Sequence, residues 1–137
     1  MILNYYMTRS DLIPRPLVHS LPANLNFKIF LRKYIIILAD KPEMRTPIQV
    51  RCNNLHQNPL NPDRTLTFIV ADKNERILEG KANWGHPLKD RDLTNLMIYI
   101  TIAGSDRRLR ISEFYLTLEI QESDIDDPIG PPREILI

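Results

Sequence analysis

The chain has 137 residues, a formal net charge of +1, 43% hydrophobic and 26% charged residues. That suits one globular domain with one core and is barely enough for two. A near-neutral balance excludes a domain that grips nucleic acid through a large overall basic excess, so any such contact would need a local patch or several copies.

Residues 1–22 read as a proline-containing N-terminal arm. Pro14, Pro16 and Pro22 forbid a long helix and interrupt any sheet ladder. Ile2, Leu3, Tyr5, Tyr6 and Met7 are costly to leave in water. The arm is therefore expected to pack on its own domain or on a neighbouring subunit, with Tyr5, Tyr6 and Met7 as interface residues. The start lacks the basic residues and apolar run of a signal peptide. No segment reaches the ~20 apolar residues that cross a bilayer. The expectation is a cytoplasmic protein, at most peripheral to a membrane.

Residues 23–120 read as a single β domain. In 24–38, Leu25, Phe27, Ile29 and Leu31 alternate with polar neighbours, and the parity then blurs at Arg32-Lys33 before the run Tyr34 to Leu38. A bulge or tight bend near Arg32 explains the change. Pro42 and Pro47 mark a connector. Over 48–55, Ile48, Val50 and Cys52 face in. Cys52 is the sole cysteine, which excludes an intramolecular disulfide and a cysteine-rich zinc site; its parity makes it a small apolar core residue. Asn54 to Pro62 is a loop.

Residues 64–71 and 76–84 are expected to pair as a hairpin across Asp72-Lys73-Asn74-Glu75. Gly80 and Ala82 would leave room for the Trp84 indole. Residues 88–95 suit one helical turn capped by Asp90 or Asp92. Residues 96–103 and 107–120 are expected to pair across Gly104-Ser105-Asp106, with a bulge near Ser112-Glu113 where the parity shifts. Leu66, Phe68 and Val70, then Leu96, Ile98, Ile100 and Ile102, then Phe114, Leu116, Leu118 and Ile120 each keep a two-residue period, which is the mark of strands with one buried face. The tail, 121–137, is acidic and proline-rich (Glu122, Asp124, Asp126, Asp127, Pro128), yet ends on apolar Ile135, Leu136 and Ile137. These three are expected at an interface. The fold class is mostly β: a small antiparallel sandwich or barrel of six to seven strands with one or two short helices at most.

No chemistry-bearing constellation appears. His19, His56 and His86 are too far apart for a metal site on one element and read as loop histidines. No serine sits in a nucleophile elbow, and the glycines are too dispersed to cradle phosphate. Asp124, Asp126 and Asp127 lack the glycine turn and closing glutamate of a calcium loop. An enzyme would have to assemble scattered groups such as His86, Asp90 and Glu113. The expectation is therefore no enzyme, no metal, no cofactor and no small-molecule substrate. Arg107, Arg108 and Arg110 are different, because neighbouring arginines repel and often meet phosphate or carboxylate. With Lys28, Arg32 and Lys33 they are either a solvated sheet face or an anion contact: a phospholipid headgroup, a nucleic-acid backbone or another subunit's acidic tail. Met97, Tyr99 and Thr101, with Tyr115 and Thr117, would form one semi-apolar outer surface, either covered by a second packed sheet or used as an interface.

The order of segments resembles the small single-domain matrix proteins of negative-strand RNA viruses, of the bornavirus type. The resemblance runs over about residues 17–120. It comprises a proline-led strand at Leu21-Pro22-Ala23-Asn24-Leu25-Asn26-Phe27, a strand at Ile48 to Asn53, a long hairpin from Leu66 to Pro87, and a final pair around Met97-Ile98-Tyr99-Ile100 and Phe114-Tyr115-Leu116. The near-neutral charge departs from the basic character of such proteins. The resemblance implies self-assembly on the inner face of a membrane, with RNA contact through Lys28, Arg32, Lys33, Arg107, Arg108 and Arg110. The expected function is that of a structural protein that forms a homo-oligomer and contacts anionic membrane or RNA. The alternative is a cellular sandwich module that stacks a peptide or glycan on Trp84 with Tyr99 or Tyr115.

Overall fold

The computed structural model describes residues 1–8, 20–22 and 25–123. The fold is a small β-sandwich. In chain order the strands are β1 (Ile2–Met7), β2 (Asn26–Leu38), β3 (Thr46–Cys52), β4 (Thr65–Ala71), β5 (Ile77–Lys81), β6 (Gly85–Pro87), β7 (Ile98–Ile102) and β8 (Ile111–Ser123). One antiparallel sheet has the order β1-β8-β2-β5, with β6 also on β2; the other has the order β4-β3-β7.

Both expected bulges are present. In the β2–β8 ladder Leu31 faces Leu118 and Lys33 faces Thr117, so Arg32 is the extra residue; nearer the other end Ile37 faces Glu113 and Leu38 faces Ile111, so Ser112 is extra. A one-residue insertion moves the side-chain set to the opposite face unless the pattern shifts with it. The sequence does shift: Ile29 and Leu31 are buried before the first bulge, Ile36 and Leu38 after it. Across the sandwich these meet Ile48, Val50 and Cys52 of β3 and Ile98 and Ile100 of β7, all within one continuous core.

The N-terminal segment packs on its own domain, the first of the two expected outcomes: over Ile2–Met7 it is an edge strand of the large sheet, antiparallel to β8. Tyr5 is only 2% exposed. Its ring stacks on Phe114 at 5.8 Å, and its Oη accepts a hydrogen bond from the Ile98 amide at 3.0 Å, which ties the large sheet to β7 of the small one. Met7 packs against the same core. Tyr5 is therefore used inside the core, and Met7 is half-buried against it. Tyr6 is half-buried on the outer face, stacked on Tyr115 at 6.4 Å. β8 also runs on to Ser123, past the expected domain end at 120.

Two expected hairpins are not formed as drawn. β4 pairs with β3, whereas β5 pairs with β2, so Asp72–Arg76 crosses between sheets. Residues 107–109 do return along β7, with Ile102 N donating to Arg107 O (3.1 Å) and Leu109 N to Ile100 O (3.0 Å). The chain then leaves for the other sheet, where β8 pairs with β1 and β2. Alternation demands one buried face and is indifferent to which sheet supplies it. Gly80 makes room for Tyr34 and not for Trp84: a Cβ there would lie 2.7 Å from Tyr34 Cζ. The helical turn is a short 3-10 segment, Leu93–Asn95, with Asp92 as its N-cap accepting from Thr94 N.

Candidate functional site

The crossings frame a charged concavity at one end of the sandwich. β2 ends at Leu38, and the chain passes through Asp40–Met44 to β3 in the opposite sheet. β7 ends at Ile102, and the chain turns at Gly104 and passes through Arg107–Arg110 to β8. Gly104 takes φ +77°, a conformation that suits glycine. Ala39 N donates to Arg110 O at 3.0 Å, which ties the two crossings together. Between them lies a groove of about 360 Å³, within the range of a ligand pocket.

Its floor is the end of the core: Leu38, Ile48 and Ala71 are buried, and Ile102 and Leu109 are half-buried. Its rim carries Lys41, Arg107, Arg108 and Arg110 against the carboxylates of Asp40 and Glu43. Arg110 meets Asp40 at 3.5 Å with both side chains exposed, a contact worth ~0–1 kcal/mol. No carboxylate of the described residues pairs with Arg107. The Arg108 guanidinium lies 4.6 Å from the Tyr99 ring centroid, and Arg51 approaches the same ring at 5.3 Å. Arg51 pairs with Asp106 at 2.9 Å, whose hydrogen bond strengthens its charged form. Such stacking holds a cation in place without neutralising it. Met44 stands beside the rim at 70% exposure.

The six expected anion-binding residues divide. Arg107, Arg108 and Arg110 share this groove. Lys28, Arg32 and Lys33 belong to β2 in the large sheet, and Arg32 is occupied: its Nε donates to Glu119 Oε2 at 2.8 Å, and its guanidinium covers the Phe30 ring at 4.2 Å. Hydrogen bonds from Gln121 and then from Arg32 hold the Glu119 carboxyl below its ordinary range. The expected semi-apolar surface divides too, since Tyr99 lies on the small sheet and Tyr115 on the large one. Ile135, Leu136, Ile137, Asp124, Asp126, Asp127 and His19 lie outside the described residues.

His86 proves to be a core residue in β6, 1% exposed. Its Nε2 meets Leu66 O at 3.0 Å, so that nitrogen carries the proton. Its Nδ1 faces Asn61 Nδ2 at 3.3 Å, and Asn61 is oriented by Thr65 N donating to its Oδ1 at 2.8 Å. The Nδ1 is therefore an acceptor, and burial pushes the imidazole pKa down to about 4. Beside it, Trp84, Phe68 and Asp63 edge a cavity of about 80 Å³, enough for two or three waters at ~30 Å³ each. Trp84 thus shares this cavity with Phe68 and His86, and neither Tyr99 nor Tyr115 lines it. Glu113 accepts from Tyr115 Oη at 3.3 Å, and Asp90 is joined to Asn54 through its backbone; neither meets His86. Cys52 is fully buried, with its thiol pushed up to about 12 by burial. The described residues contain no metal-binding group of three or more acidic, His or Cys side chains. Among them no helix is long and apolar enough to cross a membrane.

No family model, curated protein or solved structure matches this chain.

Proposed function

We propose that this chain is a non-enzymatic assembly protein that self-associates, and that its basic end accepts an anionic, partly apolar group. One observation carries the reading: a groove with an apolar floor and a cationic rim, built where the chain crosses twice between sheets. Arginines that are stacked or weakly paired pay little desolvation cost when a carboxylate or phosphate arrives. An apolar floor rewards a ligand that also carries hydrocarbon. Exposed Met44 beside Lys41 and Arg45 gives the same end a side chain that can enter a headgroup layer. That favours an anionic membrane surface over RNA as an external partner, and it agrees with the matrix-like reading of the sequence. For the peptide or glycan alternative, Trp84 lines a small cavity with Phe68 and His86, and neither Tyr99 nor Tyr115 lines it.

The test combines mass in solution with retention on phosphatidylserine vesicles at low salt. Wild type is expected to assemble or to be retained, and Arg107→Ala/Arg108→Ala/Arg110→Ala to be impaired. A wild type that is monomeric at every concentration and ignores vesicles sinks the reading. Retention on RNA but not on vesicles would reverse the preference between external partners.

A further inference from the structure

We propose that the occupant of this groove is residues 124–137 of a second copy of the chain, which joins copies head to tail. The inference rests on the reading of the basic end as a docking surface and names its partner. Three observations support it.

The first is charge. The rim sets Lys41, Arg107, Arg108 and Arg110 against Asp40 and Glu43, an excess of cations. The segment carries Asp124, Asp126, Asp127 and Glu134 against Arg133, an excess of anions. The second is hydrophobicity. Ile135, Leu136 and Ile137 are apolar, as is the groove floor at Leu38, Ile48 and Leu109. An amphiphilic groove and an amphiphilic segment match on both counts, whereas a free acidic tail has no use for three consecutive aliphatic residues.

The third is reach, and it decides between the chain's own segment and a neighbour's. β8 runs from Ile111, opposite Leu38 at the groove, to Ser123, opposite Asn26 at the far end of the sandwich. Those 13 residues measure about 40 Å at a strand's rise. Ile135 lies 12 positions past Ser123 and can return at most about 40–43 Å when fully extended. Docking within one chain would therefore need every bond straight, through Pro128, Gly130, Pro131 and Pro132, with no path around the domain. A neighbour stacked end to end receives the same segment without that constraint. A contact of this kind joins two different surfaces, so it closes into a ring or continues as a chain.

The test uses full-length protein and light scattering across concentration, with circular dichroism to confirm folding. Asp126→Lys/Asp127→Lys and Arg107→Glu/Arg110→Glu should each shift assembly to at least about tenfold higher concentration, since like charges then face each other. Mixing the two variants should restore wild-type mass, because each groove then meets an opposite tail. The single chain carrying all four changes should recover as well. Leu136→Asp is a second tail variant should either reversal misfold, and it too should lower the mass. Assembly of the tail variants like wild type would overturn the proposal while leaving self-association standing. Mixing without recovery would overturn it as well. A monomeric wild type retained on vesicles through Arg107 and Arg110 would overturn head-to-tail docking but not the basic end as a docking surface.

Discussion

His86 makes the native sandwich sensitive to mild acid. Its Nε2–H is given to Leu66 O and its Nδ1 lone pair receives Asn61 Nδ2–H, so the neutral ring is fully satisfied. A second proton would sit on Nδ1, pointing at an amide group that Thr65 prevents from turning over. The native pKa is near 4 against 6.5 in the unfolded chain. A folded-state value below the unfolded one means that the unfolded chain binds the extra proton first. Stability is thus complete above neutrality and declines as the pH falls through about 6.5 toward 4. Each pKa unit is worth about 1.4 kcal/mol; integrating over the window from pH 7 to 5 gives a loss of about 2 kcal/mol. That is a large part of the ~5–15 kcal/mol of a typical domain. Urea unfolding at pH 7, 6 and 5 measures it, with His86→Gln as the reference that shares every carboxylate. Wild type should lose stability over this range while the variant stays nearly level. Parallel loss in the two proteins would show that the imidazole is not held neutral by the fold.

Tyr5→Phe removes the acceptor for the buried Ile98 amide and should cost ~1–3 kcal/mol in chemical unfolding, with far-ultraviolet dichroism unchanged. Gly80→Ala places a methyl against the Tyr34 ring, and should lower stability by ~1–3 kcal/mol through overpacking, read as a lower Tm. Cys52, buried and held as a thiol, should resist a thiol-labelling reagent in the native protein and react at once in urea; rapid native labelling would contradict its place in the core.

Local pattern made much of the sandwich readable. Residues that alternate every second position can bury one face only as strands, so β2, β3, β4, β7 and β8 were legible. So were the bulges at Arg32 and Ser112, because a bulge must appear as a break in parity. A cap at Asp90 or Asp92 was visible, of which the fold uses Asp92, and Arg107, Arg108 and Arg110 were visible as a cluster suited to an anion. Which strand lies beside which was not legible. β4 and β5 each offer one apolar face, and that face is equally well buried in either sheet; only the summed packing of the whole chain sends them to different ones. For the same reason the sequence could not separate Tyr99 from Tyr115, put Tyr5 in the core, or give His86 its partners Asn61 and Leu66, which lie 25 and 20 residues away. The groove belongs to this second class. Its floor and rim come from five separate stretches of chain, and they meet only because two crossings pass the same end of the sandwich.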